Sequence, residues 1–272
     1  MPVVAVINRK GGSGKSTLAT HLAAHCARSG WRVMLGDVDR QQSSLGWLKR
    51  RAEQAAAHDA PIVGWAVDTR SVLRPPGGIT HVVLDTPGGL RGSELARAVM
   101  VADAVLVPLC ASAFDRESAA ACLEELRTLP RVASGRCAVA MVGMRLDARS
   151  KAAAELQAWA AEHGHPYLGG VREAQAYVRS AQQGLTLFDL PGARTEADLA
   201  QWQPILDWLH QAWREAAVAE RSAKAPLRPV DRIASVPAMR SSTQLQRGAA
   251  PAARRRAFGP LDWLFARFRS NA

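Results

Sequence analysis

Residues 9 to 17 read Arg9-Lys10-Gly11-Gly12-Ser13-Gly14-Lys15-Ser16-Thr17, and few folds accommodate that string. Before it, Val3-Val4-Ala5-Val6-Ile7 is an apolar, β-branched run of the kind that forms a buried parallel strand. After it, Leu18 to Ala27 is rich in Ala and Leu at helical spacing. Strand, glycine loop and helix make a phosphate cradle. The backbone N–H groups from Gly11 to Lys15 can wrap an anion only where no Cβ blocks the approach. The helix then points its positive N-terminal end at the same anion. In such a loop Lys15 reaches the β- and γ-phosphates of a nucleoside triphosphate, and the Ser16 hydroxyl sits on Mg²⁺.

Two more acidic strand ends follow in order. Arg32 to Asp39 reads as a second parallel strand ending in Asp37 and Asp39, with Gly30 before it as a helix C-cap. His81-Val82-Val83-Leu84-Asp85 is an apolar strand ending in a carboxylate, followed by the turn Thr86-Pro87-Gly88-Gly89. Carboxylates at the C-terminal ends of parallel strands face the ligand crevice of a doubly wound sheet.

The loop departs from the standard phosphate loop. Arg9 stands where a glycine is usual, and Lys10 precedes the glycine pair. That K-G-G-x-G-K-S/T form resembles the deviant Walker A loop of the ParA/MinD family of ATPases. The resemblance covers roughly residues 2 to 215 and implies ATP and Mg²⁺ as cofactors. It also implies a homodimer formed on ATP, with Lys10 reaching the partner's nucleotide and acting with Lys15 and Asp39 in catalysis. Gly11, Gly12, Ser13, Gly14, Lys15, Ser16 and Thr17 bind the nucleotide. Asp39 orients the attacking water, Asp37 supports the Mg²⁺ shell with Ser16, and Asp85 holds Mg²⁺ through a water. The family's D-x-D-P-Q becomes Asp37-Val38-Asp39-Arg40-Gln41 here, so Arg40 replaces a proline and loosens the loop's φ.

Further strands are expected at 62–67, 104–109, 138–144 and 166–168. Helices are expected at 47–60, 118–129, 150–163, 172–183 and 198–220. This alternation predicts an α/β fold with a mostly parallel, doubly wound sheet. Trp202, Trp208 and Trp213 on the last helix read as packing residues rather than base-stacking platforms. Four isolated cysteines, Cys26, Cys110, Cys122 and Cys137, form no C-x-x-C pair and fit a reducing cytoplasm. The chain opens directly into a strand, so neither a signal peptide nor a preceding helix-turn-helix is expected.

The net charge of +11 is concentrated at one end. Residues 221–272 carry 11 Arg/Lys against 2 Asp/Glu, so an anionic partner is sought there first. The predicted organisation is an ATPase domain at 1–220, a disordered basic linker at 221–257 and an amphipathic C-terminal helix at 258–272. On that helix Leu261, Leu264, Phe265 and Phe268 share a face beside Arg254-Arg255-Arg256, which suits a membrane surface or a protein partner.

Within the family the resemblance is strongest to small ParA-like proteins. They position or partition a plasmid, chromosome or other large cargo, bind non-specific DNA as ATP dimers, and release it when a ParB-like adaptor stimulates hydrolysis. Arg172 and Arg179 lie where such proteins carry basic residues for the DNA backbone, which would make binding salt-sensitive and blind to sequence. The expected location is cytoplasmic and nucleoid-associated. A MinD-like ATPase cycling on a membrane through the C-terminal helix is the second reading. A metabolic P-loop enzyme is the third, for which the sequence offers no acid/base constellation beyond the phosphate machinery.

Overall fold

A computed structural model describes residues 1–39, 41–66, 75–147, 149–190, 192 and 195–224. Arg40, the part of the expected 221–257 linker beyond Lys224 and the segment 258–272 expected as a helix lie outside the described residues. The first compact unit runs Met1–Ala225.

Seven strands form one parallel sheet: β1 Val3–Val6, β2 Val33–Asp37, β3 Ile62–Ala66, β4 His81–Asp85, β5 Ala104–Leu109, β6 Ala138–Met144 and β7 Tyr167–Val171. Their spatial order is β3-β2-β4-β1-β5-β6-β7. Strands β1 and β5 are apolar at every position because helices cover both faces of the sheet. Along β1, Val4 and Val6 point into one core layer, while Val3, Ala5 and, just beyond, Ile7 point into the other. The first layer meets α1 (Lys15–Arg28), α2 (Ser43–Arg51) and, after the short α3 (Ala56–Asp59), later helices described below. The second meets α4 (Gly92–Val101), α5 (Ala113–Thr128) and, after the short α6 (Pro130–Ala133), α7 (Lys151–Ala161). Sequence order reverses around β1, where the chain leaves for β2 on one side and returns to β5 on the other. The phosphate loop therefore opens at the switch point of the sheet.

Several boundaries differ from expectation for local reasons. Ser112 caps α5 by accepting from the Asp115 N–H at 3.2 Å, so that helix starts five residues earlier than its Ala/Leu pattern suggests. Strand β7 continues to Val171, which leaves Arg172 in a loop and starts α8 (Gln175–Gln182) later. The closing segment breaks into α9 (Glu196–Leu199), a 3₁₀ turn at Ala200–Trp202 and α10 (Gln203–Lys224). Pro204, lacking an N–H, fits the first turn of α10. Gly30 does end α1: its N–H donates to Ala27 O, and Trp31 N–H donates to Cys26 O. With φ 83° at Gly30 this is a Schellman motif. Trp202 and Trp213 are buried in the first core layer and Trp208 is partly buried beside them, as packing residues should be.

One buried histidine ties α1 to the later chain. His21 stacks on Trp202 with ring centroids 5.0 Å apart. Its Nδ1 donates to Thr17 O at 2.8 Å, and its Nε2 accepts the Leu187 N–H at 3.3 Å. Both ring nitrogens are satisfied only when the ring is neutral, and burial pushes its pKa from 6.5 down to about 4. The unfolded chain therefore binds more protons between those values. Stability present at neutral pH should be lost as pH falls from 6.5 towards 4, by about 3 kcal/mol for this side chain. Thermal melts taken from about pH 7.5 to about pH 4.5 should show a falling midpoint that His21→Gln partly flattens. An identical pH dependence in the variant would show that His21 is not held neutral.

Candidate nucleotide site

The loop between β1 and α1 is built from backbone conformations few residues adopt. Gly12 and Gly14 have φ of 75° and 93°, in the left-handed region that favours glycine. Buried Asn8 ties the loop to β5, its amide donating to Pro108 O at 2.6 Å and its side-chain oxygen accepting from Lys10 N–H at 3.1 Å. The turn after β4 closes from below. Gly89 N–H donates to Arg9 O, and a Cβ at Gly88 would lie 3.2 Å from Gly11 N. The pair Gly88-Gly89 thus lets the two loops touch.

The two lysines do different things. Lys15 is buried, and its ammonium donates to Lys10 O at 2.8 Å, folded back across the mouth of its own loop. Burial lowers its pKa, against the opposing charges of Asp85 and Asp39. Lys10 turns outward to Asp115 at the start of α5, at 2.7 Å, and lies 6.0 Å from the ring of exposed Phe114. Arg9 leaves the cradle altogether and pairs with Glu125 on α5.

The three carboxylates occupy distinct environments. Asp85 is buried, and burial raises its pKa to about 6 although the Ser44 hydroxyl donates to Oδ2. Its other oxygen, Oδ1, is buried without a hydrogen-bond partner. Asp37 is also buried and accepts three backbone N–H groups, from Asp39, Ser44 and Leu45 at 3.0, 3.0 and 3.1 Å. Ser44 and Leu45 lie in the first turn of α2 behind Gln42, which sits at φ 49° and makes no side-chain cap. Asp37 therefore does from a distance what an N-cap side chain would do. Asp39 lies past the strand end, its carboxylate accepting from Gln41 N–H.

A cleft of about 520 Å³ brings together Gly11, Gly12, Gly14, Lys15, Ser16, Thr17, Asp39, Gly88 and Arg145. An adjoining cavity of about 630 Å³ shares Gly14, Thr17 and Arg145 with it and is walled by Met144, Val171 and Tyr177. The sequence reading missed this second chamber. Its one local trace is Arg145, a non-glycine residue at φ 57° directly after β6, a strain of the sort found at ligand sites.

This strand–loop–helix frame coincides with a known family. Residues 4–188 match the model of the CobQ/CobB/MinD/ParA nucleotide binding domain. The chain belongs to this family. Members of the ParA/MinD family are ATPases. A carboxysome distribution maintenance protein A of Gloeobacter kilaueensis is 33% identical over 219 residues, covering 78% of this chain and 96% of the relative. The chromosome-partitioning ATPase Soj of Thermus thermophilus is 33% identical over 156 residues, 46% of this chain and 62% of that one. A Cyanothece McdA solved as an ATP complex superposes with a TM-score of 0.59 at 16% identity, covering 78% of this chain and 96% of that chain, a likeness of fold.

Within this ParA/MinD-type site the donor set fits Mg²⁺. A hard cation takes oxygen ligands, and the Ser16 hydroxyl lines the cleft while Asp85 keeps one buried oxygen unpartnered. The two arginines singled out for DNA differ from one another. Arg179 is exposed on α8. Arg172 is committed to Asp198, which takes its Nε and Nη2 together. Arg50, which the sequence reading did not single out, reaches from α2 to Ala181 O at the end of α8 and joins that face.

Proposed function

We propose that the chain is a ParA-like ATPase that dimerises on ATP and, as a dimer, holds DNA without sequence preference to position a large cargo. One observation carries this reading: the Lys10 side chain turns away from its own phosphate loop to the rim beside exposed Phe114, a position from which it can meet the phosphate of a second copy. Lys15 serves the nucleotide of its own subunit. The chamber walled by Met144, Val171 and Tyr177 takes the base. Mg²⁺, held by Ser16 and Asp85, would neutralise charge developing on the phosphates. Asp39 aligns a water, and Asp37 acts on the metal shell by holding Asp39 and the start of α2. Arg179 and Arg50 supply the DNA face, with contacts to phosphate alone. The relatives named for carboxysome distribution and chromosome partition suggest a cargo of that scale; an adaptor protein that stimulates hydrolysis completes the proposed cycle.

Sedimentation velocity with Mg²⁺ and ATP tests the cycle. The wild type should shift from monomer to dimer, Lys10→Ala should stay monomeric, and Asp39→Ala should form a dimer that persists because the water is no longer aligned. Gel shifts on non-specific duplex should follow the dimer and weaken steeply with salt. Dimerisation of Lys10→Ala indistinguishable from wild type would remove the basis for the proposal.

A further inference from the structure

We propose that Ser44 is a positioning residue that presents Asp85 to the metal and ties it to the loop carrying Asp39. The inference rests on the metal-dependent nucleotide site described above. Ser44 is fully buried. Its hydroxyl donates to Asp85 Oδ2 at 2.5 Å, and its own N–H donates to Asp37 Oδ2 at 3.0 Å. One residue therefore joins the carboxylates that end β2 and β4, two neighbouring strands in register at Asp37 and Asp85.

The helix that carries Ser44 is pinned at both ends. Asp37 holds its first N–H groups. At the other end Trp47 Nε1 donates to Leu185 O at 3.2 Å, and Arg51 forms a two-pronged pair with Asp189 at 2.8 and 3.0 Å. The Ser44 hydroxyl is thus an arm of fixed length and direction. It occupies Oδ2 of Asp85, while Oδ1 is buried without a hydrogen bond and the Ser16 hydroxyl lies near the carboxylate. A carboxylate free to rotate would spread its orientations over several angles, whereas this one offers a single oxygen from a single angle. Asp39, whose N–H donates to Asp37 Oδ1 at 3.0 Å, comes between the strand end and this helix. Order at the metal carboxylate and order at the water-aligning carboxylate are therefore linked through Ser44.

The test compares Ser44→Thr with Ser44→Val, which share shape and differ by the hydroxyl, so the cost of an added methyl cancels. Binding of a fluorescent ATP analogue is measured in Mg²⁺ and again in EDTA. The gain in affinity on adding Mg²⁺ should be about tenfold smaller in Ser44→Val than in Ser44→Thr, while their affinities in EDTA agree. Ser44→Ala should behave as Ser44→Val does. Equal Mg²⁺ gains in the Thr and Val variants overturn the proposal, as do losses of the same size with and without Mg²⁺, which would mark Ser44 as packing alone. Failure of the wild type to gain affinity with Mg²⁺ would overturn the metal site itself and the proposal with it, a result distinct from equal gains in the two variants.

Discussion

Lys15→Ala should abolish nucleotide binding, lowering ATP affinity by at least about a hundredfold, or ~3 kcal/mol. The side chain is buried in the loop with its ammonium 2.8 Å from Lys10 O, so the charge is already desolvated and positioned. Phosphate oxygens entering the cleft would replace that carbonyl as its acceptors. They would make charge-assisted hydrogen bonds, which are stronger than neutral ones. No neighbour can substitute, since Lys10 is held by Asp115 and Arg9 by Glu125. The fold itself should survive, because the substitution also removes a buried cation whose charged form burial disfavours. Isothermal titration calorimetry on a variant with an unchanged melting temperature checks both halves. Wild-type affinity in that variant would mean the phosphates bind elsewhere.

The second large effect concerns stability. The Asp189 side chain is buried and accepts from Arg51 at 2.8 and 3.0 Å and from the Thr186 N–H and hydroxyl, both at 2.8 Å. The Arg51 guanidinium beside it, with the Thr186 donors, holds its carboxyl below the ordinary range despite burial. Arg51 is itself buried, stacked near Trp47. Asp189→Ala leaves that guanidinium in the interior without a counter-charge, which should cost about 3–5 kcal/mol and lower the melting temperature by about 10 °C. The double variant Arg51→Met with Asp189→Leu should recover most of the loss, because burying two apolar side chains avoids the unpaired charge. A single variant as stable as the wild type would show the pair to be hydrated rather than sealed. The surroundings leave little slack: Gly184 packs so closely that a Cβ there would lie 2.2 Å from Arg51 N.

The two predictions sit at opposite ends of what a linear reading reaches. The cradle was legible because its chemistry is contiguous. Gly11, Gly12 and Gly14, then Lys15 and Ser16, follow one another along a strand–loop–helix unit whose shape is dictated locally. The acidic strand ends at Asp37 and Asp85 were legible because apolar runs that stop at a carboxylate mark where parallel strands meet a crevice. Helix starts were less so. Ser112 caps α5 through a single hydrogen bond that outweighs the Ala/Leu pattern beginning at Ser118. The pairing of Arg172 with Asp198 was likewise out of reach, because the partner stands 26 residues away in sequence and beside it in space.

From the chain alone came the phosphate loop, the parallel α/β class and the family, because each rests on residues close together in sequence and on the backbone geometry they impose. The folded molecule decided the rest. It placed Lys10 on Asp115 and Lys15 on its own loop. It made Asp37 a helix cap, set Ser44 against Asp85, and opened a second chamber behind Arg145. These are contacts between strands and helices distant in sequence, and which of them form depends on how sheet and helices close around a shared core.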